Sequence, residues 1–225
     1  MSRNIIVTGA AGALGSAVVE KFKREGYRVI ALLRPDADEV SEEADDSYEV
    51  DVTDEKSVTE FVKEYEMQYG DLDAIAMIVG GFAMGNLEKT TQKDMSKMIQ
   101  LNFFSAFQMV QGFLPLMKKQ QKGTFLFVGA RPALQLKDAT SSIAYALSKK
   151  LVISLAEILA EEIKGTDIRS HIFVPSIIDT PANRESMPDS DFGKWVNPAE
   201  IAEAMHYAVN TPSLRNMTFK LYGGV

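Results

Sequence analysis

The chain has 225 residues, 46% hydrophobic and 24% charged, an ordinary globular composition with material for one well-buried core. A net charge of -7 at pH 7 argues against a nucleic-acid partner, because phosphates reward clustered Lys and Arg. The absence of cysteine excludes disulfides and thiolate chemistry.

No linker, like-charge block or internal repeat divides the chain, so residues 1–225 read as one domain. Met1-Ser2-Arg3-Asn4 runs directly into an apolar strand without signal-peptide architecture. No apolar run approaches bilayer length. The expectation is a soluble, cytoplasmic protein without membrane contact.

Short apolar runs alternate with amphipathic stretches from end to end. Residues 4–8 read as a strand, and 13–25 as a helix stopped by Gly26. Strands are expected at 28–33 and 47–52, followed by a helix over 54–69 with Thr53 or Asp54 as its cap and Gly70 as its stop. The apolar run 74–79 suits a strand covered on both faces. A long helical region is expected over 92–120, a strand at 124–128, a helix at 143–163 and a strand at 171–174. Asn197 before Pro198 caps a helix reaching Val209, and 217–222 closes the sheet. Strands separated by helix-length crossovers pair in parallel with helices on both faces. Seven of them in this rhythm make a Rossmann-type doubly wound parallel sheet, an α/β fold whose ligands bind beyond the carboxyl ends of the strands.

The first strand exits into Thr8-Gly9-Ala10-Ala11-Gly12-Ala13-Leu14-Gly15. Gly9 suits a tight turn, Gly12 a close backbone approach to a pyrophosphate, and Gly15 close packing of helix on strand. The helix N-terminus then offers free N–H groups to the phosphates. Placed at the first strand–helix junction, this turn points to a nicotinamide dinucleotide. At the end of the second strand, an acidic residue would bond a ribose 2′-hydroxyl, whereas an Arg would accept a 2′-phosphate. The chain has Leu33 then Arg34, with no carboxylate before Asp36, which favours NADP while leaving NAD open. The bland reading of Arg34 is a solvated surface cation. Asp51 has two readings, a bond to the adenine amino group or a role in capping the helix that follows.

Tyr145 and Lys149 stand four apart on one expected helix, hence on one face. A phenol is a poor proton donor–acceptor at neutral pH, and a nearby ammonium favours the phenolate. Taken alone the pair is weak, because a half-buried Tyr and a solvated Lys are common on amphipathic helices. Its placement directly after the fifth strand raises the functional reading.

Taken together, the chain resembles the short-chain dehydrogenase/reductase family. The residues that carry the resemblance are Thr8 to Gly15, Asp51, Gly80-Gly81, Asn102, Tyr145-Ala146-Leu147-Ser148-Lys149, and Pro175 with Asp179-Thr180-Pro181. The resemblance implies Tyr145 as general acid/base, with Lys149 lowering its pKa and holding the nicotinamide ribose. Asn102 would bend its helix and support a proton-relay water. It implies cofactor contacts from Gly9, Ala11, Gly12, Ala13, Leu14 and Gly15, and from Arg34, Asp51 and Val52. Gly80, Gly81, Tyr145, Lys149 and Pro175 would complete them, with Thr180 and the Ile178 backbone holding the carboxamide.

Two departures from the family pattern stand out. The glycine turn is one residue short before its second glycine, and the fifth strand ends Val128-Gly129-Ala130-Arg131-Pro132 where most members carry a serine. That serine polarises the carbonyl that gains charge. Ala130 is the expected occupant of its place, although a slightly long following segment also admits Arg131 or Pro132. Ser141 and Ser142 are conceivable substitutes. Both departures, with residues 179–195, resemble the dihydropteridine reductase branch, in which alanine replaces the serine and a quinonoid dihydropterin takes the hydride. The expected substrate is therefore a small conjugated carbonyl or imine-like molecule. An ordinary ketone or aldehyde reductase and a non-catalytic NADP sensor are the alternatives.

Residues 187–195 read as a substrate lid, with Trp195 touching substrate, against an ordinary loop whose Phe192 and Trp195 fold into the core. His171 and His206 are isolated, so no metal site is expected. By the same resemblance, the apolar faces of the helices at 92–120 and 143–163 would pack around a two-fold axis as a homodimer or homotetramer.

Overall fold

The computed structural model describes residues 3–35, 41 and 43–224. Among the described residues seven strands, β1 (Asn4–Thr8), β2 (Arg28–Leu33), β3 (Asp46–Glu49), β4 (Ala74–Met77), β5 (Lys122–Val128), β6 (Asp167–Pro175) and β7 (Thr218–Leu221), form one parallel sheet. Their order is β3-β2-β1-β4-β5-β6-β7, reversing between β1 and β4. β1 (Asn4–Thr8) and β4 (Ala74–Met77) are buried at every position, as apolar runs covered on both faces should be. Alternate side chains of each strand enter different cores. Ile6, Ile30, Ile75, Phe125 and Phe127 meet α2 (Glu55–Gln68), α4 (Ser105–Gln120) and α6 (Ile143–Glu162) on one face. Ile5, Val7, Val29, Ala31 and Leu126 meet α1 (Ala13–Arg24) and α8 (Pro198–Asn210) on the other.

The helix signals act locally as their chemistry requires. Asp54, rather than Thr53, caps α2 by accepting from Ser57 N, and Asn197 caps α8 by accepting from Ala199 N. Past α1, Gly26 takes φ +78°, a conformation costly for residues with a Cβ.

Several boundaries differ from the expected ones, each for a visible reason. β3 spans only Asp46–Glu49 and not 47–52. Val50 makes a last bond to Leu33 O, and Asp51 then turns the chain by accepting from Thr53 N at 2.9 Å. β4 stops at Met77 because the next two amides, Ile78 and Val79, donate to Thr8 Oγ1 instead of a neighbouring strand. β5 (Lys122–Val128) and β6 (Asp167–Pro175) start earlier than expected. The polar start of β6 hides it from a reading based on apolar runs, yet Ser170 is buried and donates to Ala156 O.

The helical stretch over 92–120 is continuous but not uniform. α3 (Gln92–Met98) opens with a Thr91/Asp94 capping box and passes through a π-helical turn, Ile99–Phe104, into α4. Two short helices lie outside the expected elements, α5 (Arg131–Leu134) and α7 (Pro181–Ser186). Both begin just past the carboxyl ends of strands, on the side where the order reversal opens a crevice.

Candidate functional site

The crevice is built first from glycine. Gly9 leaves β1 with φ +64°, and Gly12 N donates back to Gly9 O at 3.1 Å. A Cβ on Gly15 would lie 2.0 Å from Gly9 O, so only glycine allows α1 to start this close to the strand. Gly12 caps α1 without any side-chain bond. Gly12 and Ala13 are exposed while Leu14 is buried. The first turn thus presents backbone N–H groups with the positive end of the helix dipole, a cradle for phosphate oxygens.

Beside it, Arg34 stands exposed just past β2 (Arg28–Leu33); Asp36 lies outside the described residues. Asp51 is exposed, and its Oδ1 accepts from both the amide and the hydroxyl of Thr53. It does not cap α2, which is the work of Asp54, so that reading is corrected. Val52 is buried in the core face.

β4 exits into Val79-Gly80-Gly81, where space is again the issue. A Cβ on Gly80 would meet Asn102 Oδ1 at 2.6 Å and Lys149 Nζ at 3.1 Å, and one on Gly81 would meet Leu101 Cδ2 at 2.5 Å. Asn102 sits inside the π turn, which matches the expectation of a distorted helix. Its side chain, however, is committed to protein. Oδ1 accepts from Gly81 N at 2.8 Å, and Nδ2 donates to Gly81 O at 3.1 Å and Ser148 Oγ at 2.9 Å. Support for a water would fall to its backbone.

Tyr145 and Lys149 share the first turns of α6, facing the β4 exit. Lys149 is buried and donates to Val128 O at 2.9 Å. Burial lowers its pKa to about 8. Burial also pushes the Tyr145 phenol up, to about 12. Desolvation dominates at Tyr145 in this geometry, while the Lys149 ammonium points at the end of β5. A proton on Tyr145 at neutral pH makes it a donor.

Ala130 ends the approach from β5, 2% exposed and capping α5. The residues that make the segment before Tyr145 long are absorbed in α5 and a 3₁₀ turn, Leu136–Asp138. Arg131 is held by Asp138 at 3.0 Å, with its guanidinium over the Tyr222 ring, and Pro132 lies in the first turn of α5. Ser141 is exposed, and Ser142 is buried ahead of α6 with no capping bond from its hydroxyl.

Sequence reasoning missed Phe82. The loop after β4 is pinned to the start of α6 by Gly85 N to Ser141 O and Ile143 N to Gly85 O. That lays the Phe82 ring edge-on to Tyr145, with centroids 5.0 Å apart and an interplanar angle of 72°. Phe82 is 60% exposed, and Met84 beyond it is exposed too. The signal was an aromatic inside the Gly80–Gly85 turn, readable only with the contact to Tyr145 in hand.

On the far side, Pro175 ends β6 and Ile178 bridges to Val196. Thr180 caps α7 by accepting from Asn183 N, while Asn183 Nδ2 occupies Ile178 O. Among the described residues this leaves the Ile178 N–H and the Thr180 hydroxyl proton for a ligand. Phe192 and Trp195 pack on each other at 4.7 Å, with Arg184 over Phe192. Both rings are half-exposed and belong to neither core cluster. The segment therefore lies over the surface, pinned where Val196 pairs with the 177–179 backbone. His171 is fully buried on β6 and His206 packs against Phe22 and Tyr27. Among the described residues no cluster of His, Asp or Glu is arranged to hold a metal.

Comparison with known proteins adds to this geometry. The family described as short chain dehydrogenase matches residues 3–191. A dihydropteridine reductase of Dictyostelium discoideum is 30% identical, with 95% of this chain and 90% of that protein aligned. A 3-oxoacyl-[acyl-carrier-protein] reductase of Thermotoga maritima is 27% identical over 92% of this chain and 90% of its own length. The solved structure of ElxO with NADP bound has the same fold, with a TM-score of 0.89 at 21% identity, covering 100% of this chain and 98% of that one.

Proposed function

The chain belongs to the short-chain dehydrogenase/reductase family of NAD(P)-dependent oxidoreductases, and from that premise we propose that it reduces a small conjugated carbonyl or imine-like heterocycle, pterin-like in character, with NADPH. The bound nicotinamide would supply the hydride; binding, orientation and the proton are the work of this chain. The glycine cradle suits the cofactor, since Gly15 tolerates no Cβ and the first turn of α1 has no side-chain cap. Gly9, Ala11, Gly12, Ala13, Leu14 and Gly15 would hold the pyrophosphate, Asp51 and Val52 the adenine, and Arg34 a 2′-phosphate. Gly80 and Gly81 would let the ribose approach Lys149, with Pro175, Ile178 and Thr180 at the nicotinamide end. Tyr145 Oη would deliver the proton, and its raised pKa suits the reducing direction.

The observation that carries the substrate class is Phe82. A flat, largely exposed ring beside the proton donor is a stacking platform for a conjugated acceptor. Ala130 agrees with it, because a heterocycle spreads its developing charge and depends less on one oriented donor. The similarity to a dihydropteridine reductase points the same way. The 3-oxoacyl reductase relative and the buried Ser142 favour a ketone reductase as the second reading.

A nicotinamide-absorbance assay with a quinonoid dihydropterin and a ketone panel decides between them. Wild type should turn over the dihydropterin and be poor with ketones. Ala130→Ser should raise ketone reduction by up to roughly 100-fold, and Phe82→Ala should raise KM for the heterocycle. Efficient ketone reduction abolished by Ser142→Ala would establish the second reading. Tight NADPH binding with neither substrate consumed would favour a sensor. We also infer a homodimer or homotetramer, supported by the exposed Leu147, Leu151 and Ile158 on α6, and a cytoplasmic location, in keeping with the lack of cysteine.

A further inference from the structure

Ser148 lies between the two residues that the chemistry uses, and its own side chain has no place in that chemistry. It is completely buried on α6. Its hydroxyl donates to Tyr145 O at 2.8 Å and accepts from Asn102 Nδ2 at 2.9 Å. Asn102 in turn exchanges two bonds with the Gly81 backbone. One unbroken path therefore runs from the β4 exit, through the π turn, to the carbonyl of Tyr145.

We propose that Ser148 is a positioning residue, fixing the Tyr145 proton donor relative to the Gly80–Gly81 wall through Asn102. The proposal rests on Tyr145 being the proton donor.

The chemistry of the path explains why a hydroxyl is needed there. Ser148 must give a proton to one neighbour and accept from another, which a hydroxyl does and a methyl group does not. Without it, one Asn102 N–H keeps only a long contact to Met98 Sδ at 3.9 Å, a weak acceptor, in a buried setting, at a cost comparable to losing a hydrogen bond. Asn102 has little freedom to find a new partner. Its Oδ1 is so close to Gly80 that even a Cβ there would sit 2.6 Å away. The strain must then be relieved by movement of the π turn or of the start of α6, the elements whose separation sets the depth of the crevice. A misplacement of about 1 Å at a reacting centre can cost on the order of 100-fold in rate.

The test compares Ser148→Ala, Ser148→Thr and Ser148→Cys with wild type and Tyr145→Phe. The measurements are kcat, KM and the pH dependence of kcat on the best substrate, NADPH affinity by fluorescence, and thermal midpoint. Ser148→Ala should lose roughly 10- to 100-fold in kcat, with KM and NADPH affinity within about twofold. Its kcat–pH profile should shift, and Ser148→Thr should recover most of the loss by restoring the hydroxyl. If Ser148→Ala does not fold, Ser148→Cys keeps the volume with a much weaker donor and should show the same split. A lowered thermal midpoint with unchanged kcat and pH profile would overturn the positioning role, as would NADPH affinity falling in step with kcat. Tyr145→Phe separates the two levels of the argument. Turnover retained in that variant would bring down the functional reading and this proposal with it. An inactive Tyr145→Phe beside an unaltered Ser148→Ala would bring down the positioning role alone.

Discussion

At Gly15 and Gly80 a single added carbon would collide with the walls of the site, with Gly9 O in one case and Asn102 Oδ1 in the other. Burial works just as locally on the ionisable pair. Both Tyr145 and Lys149 are pushed toward their neutral forms, the phenol to about 12 and the ammonium to about 8. The residue proposed to select the cofactor is of a different kind, an exposed cation at a strand end. Arg34→Ala should weaken NADPH by roughly 10- to 100-fold, the worth of a charge-assisted contact to phosphate, and leave NADH nearly unchanged. Titration of both cofactors by fluorescence checks this. An initial preference for NADH, or equal losses for the two, would remove Arg34 from the 2′-phosphate.

Among the elements, the π turn and β6 show how packing overrides simple patterns. The extra residue of a π turn rotates the helix register, and here it lets the buried Asn102 face Gly81 while α4 continues onto the sheet. β6 carries a fully buried His171 whose Nδ1 accepts from Met217 N and whose Nε2 has no hydrogen-bond partner among the described residues. Burial first, and the Arg169 charge second, hold its pKa down to about 4. Because the folded value lies below the unfolded one, this histidine favours the fold above pH 6.5 and works against it as pH falls toward 4. The shift corresponds to about 3 kcal/mol of stability lost across that window. Urea unfolding from pH 7 to pH 4 should show a correspondingly flatter slope in His171→Gln, which keeps an acceptor for Met217. Parallel slopes would exclude His171 as the source.

For the whole molecule, the open question is what covers α6. Leu147 is 47% exposed, Leu151 40% and Ile158 64%, spaced so that they form one stripe along the helix. A stripe of this kind on a helix already packed on its sheet is the surface that the proposed homodimer or homotetramer would bury. Leu151→Asp with Ile158→Lys should shift the sedimentation coefficient to that of a monomer while leaving the fold intact by circular dichroism. An unchanged oligomer would place the interface elsewhere, and a monomeric wild type would remove it. Among the described residues no helix is long and apolar enough to cross a membrane.

What could be read without coordinates was whatever a residue decides within a few neighbours. Asn197-Pro198 starts a helix and Gly26 stops one because caps and stops are local chemistry. The spaced glycines after β1 were legible for the same reason, as was the strand–helix rhythm that dictates parallel pairing. Contacts across long stretches of chain were not. Phe82 reaches Tyr145, and Asn102 reaches Ser148, only because a parallel sheet brings the exits of β4 and β5 side by side. Neither pair has a periodicity to betray it. The short β3 followed the same logic, since Asp51 turning onto Thr53 competes with the ladder in a way that β-propensity does not register. The burial that raises the Tyr145 pKa was not legible either, because a charged neighbour is visible in a motif, whereas desolvation belongs to everything packed around it. The sequence by itself determined the seven strands and the longer helices, their order and the kind of chemistry, which are set by local geometry. Tertiary structure alone decided which side chains meet and how dry they are.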